Sequence, residues 1–401
     1  MDWLWLTLAD PNPATNGQFI YSKGLIESAA QAGARLSVIG VARQESRPRS
    51  PVELGISWHT VPDRPRSKWL RLLSPKPFIA THAQTPEIES TLEACLASRA
   101  WDAVVFDSIC AGWALDRVVR YRDASPHQLR IIYLAHNHEV EVARRIAQAA
   151  RRVMRVQKEF DALKVARLER RLVAVADLMT ANTPEDCHSF VAGGAGRPVA
   201  FVPPGYDGPR VAMRTLDVHV PRRAIVVGVD WSPKRMSLEA FLVVATPVLQ
   251  RAGVELQVVG AAEANYLARL RNRFPSVTFV GPVADVRPYM AAARIGLVPD
   301  LIGGFKLKGL DYVFNRLPIL AMRIALPGMP LQNGRNVGLF DDHQALADGV
   351  VALIDNLPAL NARQERAFGA CADYFDWARI GRQLVSGVQQ AGGRRNATTE
   401  F

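Results

Sequence analysis

The chain is poor in cysteine, in long apolar runs and in most short motifs that mark a catalytic machinery, and each shortage excludes something. Four cysteines in 401 residues (Cys95, Cys110, Cys187, Cys371) stand far apart. They offer no zinc or redox spacing and fit a reducing cytoplasm better than a disulfide scaffold. No apolar run approaches the roughly 18–20 residues of a membrane-spanning helix. The start, Met1-Asp2-Trp3-Leu4-Trp5-Leu6, has no basic leader and reads as a first strand, not a signal peptide. No G-x-G-x-x-G fingerprint is present, which argues against a nicotinamide dehydrogenase, and no P-loop run exists. A G-x-S-x-G nucleophile elbow is missing too. Neither His136 nor His138 has a partner at metal-ligand spacing, which argues against a zinc site.

What is present is an ordinary globular composition, 49% hydrophobic and 22% charged, at a length that suggests two domains. Strand-like runs alternate with helix-length segments, the signature of a doubly wound α/β architecture. Strands are predicted at Trp3–Leu8, Leu36–Val41, Ser57–Val61, Ala103–Phe106, Ile131–Ala135, Leu178–Ala181 and Val199–Val202. Helices are predicted at Gln18–Gln31, Thr85–Ala97, Gly112–Val119, Glu141–Val173 and Pro184–Val191, with a mobile polar loop over Ala42–Gly55. The Pro/Gly-rich Pro203–Pro209 reads as a linker. A second series has strands at Ala224–Val227, Val254–Val259, Val277–Val280, Ile295–Pro299, Ile319–Ala321 and Val337–Phe340. Its helices are expected at Lys234–Arg251, Ala262–Arg273, Val286–Ala293, Lys308–Phe314 and His343–Asn356. The expected domains are 1–205, 206–375 and a helix over 376–391 that crosses back to the first.

The formal net charge is +11. Basic residues gather at Arg64, Arg66, Lys68 and Arg71 around Trp69, Leu70 and Leu72, and again from Arg144 to Arg171. Both clusters suit solvated helix faces or an anionic surface. Among lipid head groups, a polyprenyl phosphate and nucleic acid, nothing resembles a nucleic-acid recognition element, so a membrane surface is the better anionic partner.

Gly303–Tyr312, G-G-F-K-L-K-G-L-D-Y, lies between two buried-strand runs and reads as a Gly-rich turn opening a helix. Unpaired N–H groups and the helix dipole make such a turn an anion site, to which Lys306 and Lys308 add full charge. Asp311, one turn after Lys308, suits a ribose hydroxyl. In the same half, Gly228 ends a strand and Lys234 follows at a helix start. In the first half, Gly17 opens a helix after the first strand. His136-Asn137-His138-Glu139 follows the fifth expected strand, at the carboxyl edge where ligands bind. Gly17 also suits plain turn chemistry, and His136 a structural role.

These elements, in this order, resemble a GT-B glycosyltransferase of the large retaining family 4 group, over most of the chain. The family's glycine turn matches Asn16-Gly17, and the H-N-x-E of one subgroup matches His136, Asn137 and Glu139. Its N-G-V-D appears as Pro204-Gly205-Tyr206-Asp207, its phosphate loop as Val227-Gly228 with Lys234, and its x-F-x-G-x-V as Phe279–Val283. The paired-glutamate signature departs: Gly303 stands at the first acidic place, then Gly304-Phe305, and Asp311 stands at the second. Lys308 fits the K-x-L-E form of the same subgroup. A frequent phosphate-binding Arg is replaced by Val229, with Arg235 as a candidate substitute.

The resemblance implies two Rossmann-like domains facing across a cleft, and transfer of a sugar with retention from a nucleotide diphosphate donor to a glycan or lipid-linked acceptor. It implies catalysis by His136, Lys234, Lys308 and Asp311. It places the donor against Gly17, Gly228, Lys234, Val283, Gly303, Gly304, Phe305, Lys308 and Asp311, without a metal or cofactor. The cytoplasm, with peripheral attachment to the inner membrane face, is the implied location. Two rivals share the scaffold: a non-hydrolysing nucleotide-sugar epimerase, and a catalytically degenerate GT-B partner or scaffold for an active transferase.

Overall fold

The computed structural model describes residues 1–46, 52–64, 73–150, 152–194, 196, 199–228, 232–301 and 304–391; of 52, 53, 149, 152, 153 and 232–234 it describes the backbone alone. The chain divides into two compact units, Met1–Gly205 with Trp377–Phe401, and Tyr206–Asp376.

In the first unit the strands are β1 (Asp2–Ala9), β2 (Arg35–Val41), β3 (Val52–Glu53), β4 (Ile56–Val61), β5 (Ala103–Asp107), β6 (Arg130–Ala135), β7 (Leu178–Ala181) and β8 (Val199–Phe201). They form one sheet in the order β3-β4-β2-β1-β5-β6-β7-β8, parallel except for the β3–β4 pair. The order reverses between β1 and β5. Side chains alternate between two cores, because successive strand residues face opposite ways. Trp3, Trp5, Ala103, Val105, Ile132 and Leu134 share one core, and Leu4, Leu6, Val104, Phe106, Ile131 and Tyr133 the other. Helix Gly17–Gln31 covers the Trp3/Trp5 face with Tyr21, Leu25 and Ile26, and helix Trp377–Ala391 adds Ile380, Leu384 and Val388.

The second unit has β9 (Arg223–Val227), β10 (Glu255–Val259), β11 (Val277–Gly281), β12 (Ile295–Val298), β13 (Ile319–Met322) and β14 (Gly338–Phe340). All pair in parallel, in the order β11-β10-β9-β12-β13-β14. Here the order reverses between β9 and β12. Those two strands pair only at Ile295–Ala224 and Gly296–Ile225. Beyond that point the buried Tyr312 hydroxyl accepts from Val227 N (2.9 Å), closing what the diverging ladder leaves open.

Local chemistry explains many helix starts. Thr85 and Thr183 each cap a helix through the hydroxyl, with Pro at the first position and acids in the first turn. Four expectations change. The single helix foreseen over Glu141–Val173 is two, Glu139–Ala149 and Arg152–Val175, with Ala150 extended (ψ 147°). No Gly or Pro breaks it; the two halves pack on each other, so tertiary contact makes the turn. The helix foreseen to Asn356 stops at Leu353, because the Asn356 side chain caps a further helix, Leu357–Cys371. Gly112–Val119 begins as a 3-10 segment, Ile109–Ala114, before helix Leu115–Ala124. The loop foreseen over Ala42–Gly55 contains β3, folded back on β4.

Candidate functional site

Both sheets present ligand-type side chains at their carboxyl edges, beside the points where strand order reverses, which is where open α/β sheets bind ligands. In the second unit Gly228 follows β9 in a left-handed conformation (φ 80°), which a glycine adopts without strain, and its N–H bonds Val259 O. Across the same crevice, Asp300 follows β12 and is buried. Its Oδ2 accepts from Lys308 Nζ at 2.5 Å, and both side chains are nearly enclosed, at 5% and 9% exposure. Lys308 belongs to helix Leu307–Phe314, preceded by Gly304 at φ 91°. An ammonium has three donors, so Asp300 orients Lys308 at the crevice and leaves hydrogens for an anion.

Asp311 lies one turn along that helix. Burial pushes its carboxyl up to about 6; the hydrogen bond of the Tyr206 hydroxyl opposes this, and nearby Asp207 adds to it. The Tyr206 ring stacks on Phe314 at 4.4 Å. Val283 and Phe305 pack against the core of this unit, and Phe305 meets Phe375 edge-on at 5.6 Å. Arg235 is engaged by Glu263 (3.4 Å) and lies over the Tyr266 ring (4.8 Å). Gly303 and Val229 lie outside the described residues, as does the side chain of Lys234, whose backbone opens helix Ser232–Arg251. Convergence of Lys234 and Lys308 on one diphosphate therefore lies outside the described residues.

In the first unit His136 follows β6, and Asp107 ends β5. His136 Nε2 lies 2.6 Å from Asp107 Oδ1, while Trp5 Nε1 donates to Asp107 Oδ2 at 3.0 Å. Burial pushes the Asp107 carboxyl up, yet the imidazole and the indole N–H outweigh it and hold the group below the usual range. Asn182 Nδ2 donates to His136 O (2.7 Å), and the Tyr21 ring meets the imidazole edge-on at 5.0 Å. Three residues on, burial pushes the Glu139 carboxyl up to about 7; Asn137 and His136 lower it, and Glu169 and Asp186 raise it. The buried Glu169 carboxylate accepts from Glu139 N (3.0 Å) and Val140 N (3.3 Å), capping that helix from another one. Gly17 is exposed at the first position of its helix, where Asn16 supplies the cap by accepting from Phe19 N (3.1 Å).

Sequence reasoning singled out His136, Lys308 and Asp311 but not the carboxylates that hold the first two, Asp107 and Asp300, nor the Tyr206 beside the third. Among the described residues no group of His, Cys, Asp and Glu is arranged to hold a metal ion.

Known structures share this fold. Sucrose-phosphate synthase from Thermosynechococcus elongatus superimposes with a TM-score of 0.71 over 97% of this chain and 98% of its own, at 17% identity. The fold is GT-B. Anabaena HepE, in complex with UDP and glucose, follows at TM-score 0.65 and 15% identity, covering 97% of this chain and 100% of that one. WaaG, a glycosyltransferase involved in lipopolysaccharide biosynthesis, gives 0.65 at 16% identity, covering 98% and 100%. Residues 221–356, within the second unit, match the family model of glycosyl transferases group 1. A comparison with curated proteins gives no match.

Proposed function

We propose that this GT-B chain is a metal-independent, retaining hexosyltransferase of the family 4 type. It would move a sugar from a nucleoside diphosphate donor to a glycan or lipid-linked acceptor in polysaccharide or glycolipid assembly. The observation that carries the reading is Lys308, oriented by Asp300 at the reversal point of a sheet whose segment 221–356 matches glycosyl transferases group 1. In the step, the bond from sugar C1 to the diphosphate oxygen breaks and one to the acceptor oxygen forms. The acceptor proton leaves with the nucleoside diphosphate. Charge collects on that leaving group, so catalysis would rest on donors of the second unit, Lys308, Lys234 and the N–H groups near Gly228 and Gly304, with Gly17 as the first unit's contribution. Asp311 accepts ribose hydroxyls and His136 touches the sugar. HepE supports a nucleotide-sugar donor through its UDP and glucose. The test is incubation with a panel of labelled nucleotide-sugars and glycan or glycolipid acceptors: a new glycoside with the donor's anomeric configuration is expected. A new nucleotide-sugar formed without acceptor would instead indicate the epimerase, and binding without turnover the degenerate partner.

An anionic membrane face on the cytoplasmic side fits as the place of work, although no described helix is long and apolar enough to span a bilayer. Val156, Phe160 and Leu163, spaced i, i+4, i+7, are 72%, 60% and 68% exposed on helix Arg152–Val175, among Arg155, Lys158 and Arg167. Lys164 lies over the Phe160 ring and donates to Ser74 O (2.6 Å); of the Arg64–Leu72 cluster, 65–72 lie outside the described residues. Vesicles rich in phosphatidylglycerol should sediment the wild type and not Phe160→Ser/Leu163→Ser; equal sedimentation of both removes this helix face from the account, and a wild type that stays in the supernatant removes the membrane.

A further inference from the structure

The pairing of Asp107 with His136 has consequences for which atom a sugar meets, and so deepens the function just proposed. Alternation along the strands puts Trp5, Asp107 and His136 on one face of the sheet. Trp3 and Trp5, then Ala103 and Val105, then Ile132 and Leu134 share one core, and Asp107 and His136 continue their series. Asp107 pairs with Leu134, two residues before His136, so the carboxylate reaches the imidazole diagonally across adjacent strands. Ser108 follows at φ 67°, a left-handed conformation strained for a residue with a side chain, directly after this carboxylate.

The ring is held on several sides. Nε2 faces Asp107, the Tyr21 edge packs on the imidazole, and Asn182 anchors the backbone. His136 keeps 7% of its surface, and among the described residues nothing hydrogen-bonds Nδ1. We infer that Asp107 is a positioning residue: it commits the Nε2 proton of His136 inward, so that Nδ1 is the ring nitrogen that meets a bound sugar hydroxyl. A buried carboxylate has no proton to give, so Nε2 must be the donor of that bond and carries a proton whether the ring is neutral or charged. In the neutral ring Nδ1 is then an acceptor, suited to a hydroxyl.

Asparagine cannot replace Asp107 here. The two carboxylate oxygens accept from two donors, Trp5 Nε1 and His136 Nε2, while an amide offers one oxygen and one NH2. With its oxygen on the indole, the amide NH2 faces Nε2 and drives the proton to Nδ1, turning the ligand-facing acceptor into a donor.

The test uses the full chain with 15N-histidine, the His136 signals assigned by loss in His136→Gln. The wild type should show a protonated Nε2, and Asp107→Asn a protonated Nδ1 with bare Nε2. A bare Nε2 in the wild type, or an unchanged ring in Asp107→Asn, overturns the inference. In transfer assays Asp107→Asn should lose roughly 100-fold in kcat/KM, add no further loss to His136→Ala, and be partly rescued by Asp107→Glu; additive losses overturn it. If Asp107→Asn does not fold, the wild-type spectrum and Asp107→Glu decide. If the wild type transfers no sugar, the transferase reading falls and the ring spectrum still decides Asp107.

Discussion

Replacing Lys308 by alanine should damage the fold as well as the chemistry. Sequence alone suggests an anion-binding lysine whose loss leaves folding intact. The structure instead pairs Lys308 with the buried Asp300, at 9% and 5% exposure and 2.5 Å. Removing one member of a buried pair leaves the other charge uncompensated, at a cost of about 3–5 kcal/mol. For a unit of this size each kcal/mol moves the melting temperature by about 2–4 °C, so Lys308→Ala should melt roughly 6–20 °C below the wild type. Replacing both members by neutral side chains of similar volume removes the stranded charge, so Asp300→Asn/Lys308→Met should return most of that loss. Differential scanning calorimetry of the wild type, Lys308→Ala, Asp300→Asn and the double variant reads this directly. A Lys308→Ala protein that melts with the wild type, or a double variant as unstable as the single one, refutes the reasoning. Transfer should be absent in every variant that lacks Lys308.

Two other outcomes follow from single positions. A Cβ at Gly24 would lie 2.1 Å from the Trp377 indole, so Gly24→Ala should overpack the first unit and cost roughly 1–3 kcal/mol, read by thermal or urea unfolding; unchanged stability would mean that Trp377 does not sit there. Asp311, with its carboxyl raised to about 6, loses its charge as pH falls through 6. Nucleoside diphosphate affinity should fall over that range, and fall less steeply in Asp311→Asn, where only the ligand's own terminal phosphate still titrates. The same shift acts on stability with the opposite sign: the folded state holds the proton more tightly, so this contribution is full below about 4 and is lost as pH rises through 6. Calorimetry at pH 4 to 7 on the wild type and Asp311→Asn separates the two.

How legible the molecule was in its sequence depended on range. Parallel strands such as Ile131–Ala135 announce themselves as apolar runs, and threonine caps with proline behind them fix helix starts, because both signals are local. The break at Ala150 had no local signal, since two helices packing on each other create it. At the site, His136 and Lys308 stood out by residue type and place at strand ends. Their partners did not, because Asp107 lies 29 positions from His136 and meets it only once β5 and β6 are in register. Alternation along β5 already put Asp107 on the face of Trp5, a signal strong enough to use once the strand order is known. Asp300, directly after the run Ile295–Pro299, was legible by the argument that singled out His136.

The most direct measurement is the affinity of the folded chain for nucleoside diphosphates by titration calorimetry, wild type against Asp300→Asn/Lys308→Met. The double variant removes the ammonium and, by the reasoning above, should keep the fold. Losing its charge-assisted hydrogen bonds should weaken binding by about 1.5–3 kcal/mol, roughly 10- to 150-fold in Kd. Equal affinity in the two proteins would place the diphosphate elsewhere and contradict the site.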